Sequence, residues 1–451
     1  MAGELTSYWL ARGRGVVGAK AVDPQLKATI AKVQAAATAY NGNNPIELAD
    51  MASPPTLAFA TTHDAALTVR ANYGLNPSQM LVSPGRKYIR NAGAGQNRLY
   101  VAGPNLMPSA GDLNSLGATA YAPNLPNIGE STSPHRVGVK TASPNIEFQI
   151  PNTTADVRYY LIVDGRYVSR AGFKPTVGAG GAVETYTKLS FGSSVMRTIE
   201  LEMQAGNGPL LNISVEAGYT IAAADARPLK AIFYGDSQVE AYTHGVNAAG
   251  ENYFWSQMGL SNQISLMLGA ACENAAIGGT GFLNRGGANN RNNILQSMDY
   301  SLADEAWDMI FLCLSQNDPW VGNSAGVRAN FRASVEKARA AHPQALIVIL
   351  GSYWAGPGAS MLAMETDLFA QAASYNDIGI ITLPRLTKAG GAPITGTGYV
   401  GATNGSGNSD VLISGDASHV TFSIDPAQSG HTVLAASDTA QLRSKIAALL
   451  T

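Results

Sequence analysis

The chain has 451 residues, 45% of them hydrophobic, with only 14% charged and a formal net charge of −2. A charged fraction this far below the typical ~25% excludes a charge-driven disordered chain. With 30 Lys and Arg against 32 Asp and Glu, no basic field exists to hold a phosphate backbone, which excludes nucleic acid as the main partner.

The opening MAGELTSYWLARGRGVVGAK carries Glu4 and interleaved arginines where a secretory signal would have a long apolar stretch. No apolar run reaches the ~18 residues of a membrane span. The expected location is therefore the cytoplasm or a virus particle, whose assembly needs no signal. Asp23-Pro24 is a good helix start, and Leu26, Ile30, Val33 and Ala37 then form one narrow apolar stripe that Asn41-Gly42 closes. Packing of that stripe on its own chain is the plain reading, and self-association into a homo-oligomer is the sharper one. From about 43 to 135 the signals weaken, and the five prolines from Pro104 to Pro134 mark an irregular loop region.

Residues 136–227 predict a small all-β sandwich or jelly roll. RVGVKT, IEFQI, VRYYLIV, ETYTKLSF, RTIELEM and LLNISVEA are short runs rich in β-branched and aromatic residues, and Asp164-Gly165 is a hairpin turn. After Pro228 the texture changes to continuous apolar runs, KAIFY, DMIFLCL, ALIVILG and IGIITL, alternating with helical stretches. Uninterrupted hydrophobic strands between helices predict a parallel sheet covered on both faces. The expected organisation is thus a helical and loop-rich segment over 1–135, a β-sandwich over 136–227 and one α/β domain over 228–451.

In such a sheet, ligands bind beyond the carboxyl ends of the strands. The first exit is Gly235-Asp236-Ser237-Gln238, with a glycine for a sharp turn and a hydroxyl at the start of a helix; a plain helix cap reads the same way. Gly278-Gly279 lets the backbone bring an N–H close to a ligand, and Asn317 of Ser315-Gln316-Asn317-Asp318 offers a side-chain amide to developing negative charge. Asp416 stands three residues before His419, a spacing that lets the carboxylate fix the ring tautomer and leave the other nitrogen as a base. Three other features are decoys. Gly322–Gly326 matches a nucleophile elbow but leaves no strand, Gly396–Gly401 follows a loop, and His431 lies inside the last helix. His63, His135, His244 and His342 have no metal-ligand spacing, and Cys272 and Cys313 sit in apolar runs as buried thiols.

In this order, Gly235-Asp236-Ser237, Gly279, Asn317 and Asp416-x-x-His419 resemble the four blocks of the SGNH (GDSL-type) hydrolases. The resemblance covers about 228–451, and together with the preceding β-sandwich it is similar to carbohydrate esterases. It departs where Ser315 replaces a glycine, Gln238 an apolar residue and Val420 a proline. It implies a three-layer α/β/α domain and a serine esterase with Ser237, His419 and Asp416 as catalytic triad. The Ser237 and Gly279 N–H groups and the Asn317 amide would form the oxyanion hole, with no metal and no cofactor. The implied substrate is an acetylated polysaccharide, with Trp320 and Trp354 set to stack on sugar. The low charge and the abundant Gly and Asn suit a phage tail enzyme acting on bacterial surface glycans. A GDSL lipase or thioesterase, and a non-catalytic glycan-binding or structural virion protein, are the alternatives.

Overall fold

The computed structural model describes residues 24–39, 55–72, 81–83, 87–90, 97–100, 135–150, 159–168, 173, 184–203, 212–240, 259–286, 291–303, 305–352, 359–384 and 430–450. Among them, no helix is long and apolar enough to cross a membrane.

Helix α1 (Pro24–Ala39) starts at the expected proline. A lone 16-residue helix is marginal in water, and burial of Leu26, Ile30, Val33 and Ala36 stabilises it. These side chains join a core built by the chain's own later elements; Leu26, Ile30 and Val33 are the expected stripe, and the side chain of Ala37 lies outside the described residues. Each fully buried aliphatic side chain contributes roughly 1.5–3 kcal/mol.

The strands β1 (Thr56–Ala60), β2 (Val69–Asn72), β3 (Leu81–Ser83), β4 (Lys87–Arg90), β5 (Asn97–Tyr100), β6 (His135–Thr141), β7 (Asn145–Ile150), β8 (Tyr159–Val163), β9 (Arg166–Tyr167), β10 (Thr185–Ser190), β11 (Arg197–Met203), β12 (Asn212–Val215) and β13 (Ala222–Ala223) follow. Two antiparallel sheets, ordered β1-β10-β7-β12-β2 and β13-β6-β11-β8-β9 with β3 also on β6, form the predicted sandwich, and β4 and β5 pair as a separate ribbon. The β8–β9 turn is the expected Asp164-Gly165, both with positive φ (48° and 81°). The sheets take in β1, β2 and β3, so the sandwich begins well ahead of residue 136. β1 escapes a pattern search because it is an edge strand with four of its five residues exposed.

β8, Tyr-Tyr-Leu-Ile-Val, is buried throughout. Tyr159, Leu161 and Val163 face the sandwich interior, while Tyr160 and Ile162 enter the core of the C-terminal half. A buried polar hub sits beside that seam. Arg136 and Glu202 pair at 2.7 Å, and Tyr167 Oη and Asn262 Nδ2 each donate to the Glu202 carboxylate at 2.9 Å. Asn262 belongs to the α/β half, so the hub ties the two halves together.

That half comprises β14 (Leu229–Tyr234), α2 (Ser237–Glu240), α3 (Leu260–Met267), β15 (Ala270–Asn274), α4 (Ile294–Ser301), β16 (Met309–Cys313), α5 (Trp320–Ala341), β17 (Leu346–Leu350), α6 (Ala359–Ser374), β18 (Ile380–Leu383) and α7 (Gly430–Leu450). Its parallel sheet has the order β15-β14-β16-β17-β18. Successive strand residues face opposite sides. Ala231, Phe233, Phe311 and Val348 meet α1, α3 and α7, whereas Ile232, Tyr234, Leu312 and Ile349 meet α4, α5 and α6. This explains why the strands read as unbroken apolar runs. The second strand lies on one side of β14 and the third on the other, so the connections diverge there and open a crevice at the carboxyl ends of β14 and β16.

Candidate active site

Ser237 stands at that crevice. β14 ends at Tyr234, and Gly235 makes the turn; a Cβ there would lie 2.8 Å from Val239 Cγ2 and 3.0 Å from Cys313 Cβ, so a side chain has no room. Asp236 caps α2. Its carboxylate accepts the Gln238 N–H at 3.0 Å, and its carbonyl accepts those of Val239 and Glu240. The capping read as the bland alternative is therefore real, but it belongs to Asp236. Ser237 is left at the first helical position, half-buried.

The exit of β15 lies along this turn. Ala275 and Ile277 donate their N–H groups to the carbonyls of Phe233 and Gly235 at 2.8 and 3.0 Å, and Asn274 Nδ2 donates to the Val239 carbonyl at 2.7 Å. Gly278 is pressed against the Gly235-Asp236-Ser237 turn: a Cβ on it would sit 3.5 Å from Ser237 Cβ and would strike the Glu240 carboxylate. Gly279 has φ +75°, which favours glycine there.

The exit of β16 completes the arrangement. Ser315 is fully buried, and its hydroxyl lies 2.9 Å from Asp236 Oδ2 and 2.6 Å from the Thr280 carbonyl while accepting the Asn317 N–H at 2.9 Å. The serine in the glycine's place thus stitches three strand exits together. Asn317 Nδ2 donates to the Thr280 carbonyl at 3.1 Å and makes a longer, 3.4 Å contact with Asp236 Oδ2. The Asn317 carbonyl accepts from Asn284 Nδ2 at 2.7 Å.

Two buried carboxylates brace these loops. Burial raises the Asp236 carboxyl to about 6; its N–H and O–H donors pull it back down, and nearby Asp318 adds to the rise. Burial also raises Asp318, against three N–H donors: Phe282 at 2.8 Å on one oxygen, Leu283 at 2.8 Å and Asn284 at 3.0 Å on the other. A Cβ at Gly281 would meet that carboxylate at 2.5–2.6 Å. The sequence alone pointed to the Gly278-Gly279 pair but not to Arg291 or to the clamping role of Asp318. Only the Ser-Gln-Asn-Asp block held a signal for the last of these.

Cys313, at the end of β16, lies under the Gly235-Asp236-Ser237 turn, and Cys272 lies in β15; both are buried and free, as expected. Burial pushes the Cys272 thiol up to about 11 and the Cys313 thiol well above its usual range, so both are inert core groups. Trp320 is half-buried, with the Arg328 guanidinium 5.1 Å from its ring centroid. Gly322 sits at a kink near the start of α5 with φ +84°, not at the end of a strand. Trp354, Asp416, His419 and the Gly396–Gly401 loop lie outside the described residues, as does the side chain of His431.

No family model and no curated protein matches the chain. Among solved structures, a family two carbohydrate esterase from Cellvibrio japonicus is similar over 87% of this chain and 100% of its own, with a TM-score of 0.51 at 14% identity. This chain has its fold. A salicylyl-acyltransferase from a tetracycline biosynthetic pathway is similar over 86% of this chain and 98% of its own, with a TM-score of 0.51 and 14% identity. The three-layer α/β/α sheet preceded by a β-sandwich, expected from the SGNH (GDSL-type) resemblance, is the architecture observed.

Proposed function

We propose that the protein is a serine esterase that removes O-acetyl groups from a polysaccharide. The observation that supports this reading best is the meeting of three strand exits around one turn: Gly278 packs on Ser237, and Asn317 lies beside Asp236 at the switch point.

In this reading Ser237 Oγ attacks the acetyl carbonyl while His419 takes its proton and Asp416 steadies the imidazolium. The N–H groups of Ser237 and Gly279 and the Asn317 amide hold the oxyanion. Collapse breaks the bond to the sugar oxygen, which takes the proton from His419, and leaves acetyl-Ser237. Water, deprotonated by His419, then releases acetate and restores the hydroxyl. The steps draw on no metal or cofactor. Arg328 occupies one face of Trp320, so sugar stacking is assigned to its other face and to Trp354. The low charge and the abundant Gly and Asn fit an enzyme carried on a phage tail, acting on bacterial surface glycans.

Turnover of p-nitrophenyl acetate, acetate release from acetylated glycans and organophosphate labelling at Ser237 test the proposal. Ser237→Ala should lose a factor on the order of 10⁴ or more in kcat with its melting temperature unchanged. Near-normal activity in that variant would falsify the assignment. Faster turnover of octanoate than of acetate esters would favour the lipase or thioesterase alternative instead. A second reading, acyl transfer from acyl-Ser237 to an alcohol, draws on the acyltransferase of the same fold; ester products formed with an added alcohol acceptor would reveal it.

A further inference from the structure

The Gly278-Gly279 peptide has a second neighbour besides Ser237. Arg291 Nη1 donates to the Gly278 carbonyl. A peptide group is planar and trans, so its C=O and N–H point in opposite directions. Whatever holds the Gly278 oxygen therefore sets the direction of the Gly279 N–H. The grip is charge-assisted, roughly twice as strong as a neutral hydrogen bond, and it polarises the peptide so that its N–H becomes a better donor.

The surrounding chain is shaped to admit this side chain. A Cβ on Gly279 would lie 3.5 Å from Arg291 Nη1, and one on Gly286 would lie 2.9 Å from Arg291 Cδ, so the arginine passes between two glycines. Both have positive φ, 75° and 73°, in the region where a side chain is strained. The base of the arginine is clipped at two points: the Arg291 N–H donates to the Arg285 carbonyl, and Arg285 Nε donates to the Arg291 carbonyl, each at 3.1 Å. Arg285 in turn bridges to Thr280, the residue after Gly279. The guanidinium is thus delivered to one carbonyl from a backbone position tied to Arg285.

We infer that Arg291 is the positioning residue of the oxyanion hole, holding the Gly278-Gly279 peptide so that the Gly279 N–H faces the oxygen that becomes negative when Ser237 attacks. The inference rests on the esterase reading above. Two adjacent glycines resist rotation of the peptide between them only weakly. Without the guanidinium, that peptide is free to turn its carbonyl oxygen toward the oxyanion position, which removes a donor and adds a repulsive dipole.

The test compares Arg291→Met, which keeps the apolar stem, with Arg291→Lys, which keeps one charged donor. On p-nitrophenyl acetate, Arg291→Met should lose on the order of 10²–10³ in kcat, the usual loss for one oxyanion donor, with KM changed by less than about twofold. Arg291→Lys should recover to within about tenfold of the wild type. A small alkyl boronic acid, which forms an anionic tetrahedral adduct on the serine, should bind Arg291→Met more weakly by about the factor lost in kcat. A simply loosened structure would not reproduce that match. Wild-type kcat in Arg291→Met, a change confined to KM, or unaltered boronate affinity alongside a low kcat would each overturn the inference. Should Arg291→Met fail to fold, Arg291→Lys decides through the same pair of readouts: parallel losses in kcat and boronate affinity support the inference, and uncoupled ones sink it. A wild type that neither turns over acetate esters nor labels at Ser237 defeats the esterase reading itself. An active wild type matched by Arg291→Met defeats this inference alone.

Discussion

Asp318→Asn exchanges one carboxylate oxygen for an NH₂ group at a site where the protein presents three donors. The native Oδ2 accepts the Phe282 N–H at 2.8 Å, and Oδ1 accepts those of Leu283 and Asn284 at 2.8 and 3.0 Å. Asparagine has a single acceptor oxygen. Its best orientation keeps the Leu283 and Asn284 bonds and sets NH₂ against the Phe282 N–H, leaving a buried donor unmet at a cost of about 1–3 kcal/mol. The two surviving bonds lose their charge assistance, about 1 kcal/mol each. Part of this is recovered, because the buried carboxylate, with its raised pKa, was itself costly to keep ionised. The net expectation is about 2–4 kcal/mol, or a fall of roughly 5–15 °C in the melting temperature of a domain this size. Activity should fall too, since Asn284, pinned by Asp318, holds the Asn317 carbonyl. Thermal unfolding and kcat on p-nitrophenyl acetate measure both effects at pH 7–8. A melting temperature within about 1 °C of the wild type would refute the clamp.

Asn317→Ala should lower kcat by on the order of 10²–10³ with KM nearly unchanged, as expected for an oxyanion donor; an equal rise in KM with kcat preserved would show that the amide binds the ground state. Asp236 should make stability pH-dependent. Its folded value of about 6 lies above the ordinary value of 3.8, so its contribution is fully present below pH 4 and is lost as pH rises through 6, about 3 kcal/mol in all. The stability difference between wild type and Asp236→Asn should therefore shift toward the variant across pH 4–7. Parallel pH profiles for the two proteins would contradict this.

The features legible in the sequence are those set by local pattern. KAIFY and ALIVILG announce a doubly covered sheet because both of their faces meet helices. Gly235-Asp236-Ser237 announces a strand-to-helix turn because only glycine fits between Val239 and Cys313. Asp164-Gly165 fixed its hairpin for the same kind of reason. What stayed hidden acts across long separations in the chain. β1 and β2 are short strands whose place depends on partners more than 100 residues away, Ser190 to Tyr186 and Val215 to Asn212. Arg291 works through a backbone carbonyl and Asp318 through three backbone amides, and neither leaves a side-chain pattern to read. Ser315 looked like a defect in the third block, whereas its hydroxyl joins the exits of β14, β15 and β16.

Among the described residues, the buried charges at the seam and those beside Ser237 are held in different ways. Glu202 is matched by Arg136 and Glu200 by Arg227, ion pairs at the seam between sandwich and sheet that hold two halves together. Asp236 and Asp318 are held instead by neutral N–H and O–H donors, and burial raises the pKa of both. Keeping two such carboxylates at one sheet edge costs stability, and that cost is typical of a functional crevice more than of a packing interface. Their charge also sets a requirement. An oxyanion formed at Ser237 would arise close to Asp236, which is largely ionised at neutral pH, and would be disfavoured by it. The cation on the far side of the Gly278-Gly279 peptide is placed to offset that repulsion through the peptide dipole. A positioning arginine and a bracing aspartate are in this sense two parts of one electrostatic arrangement.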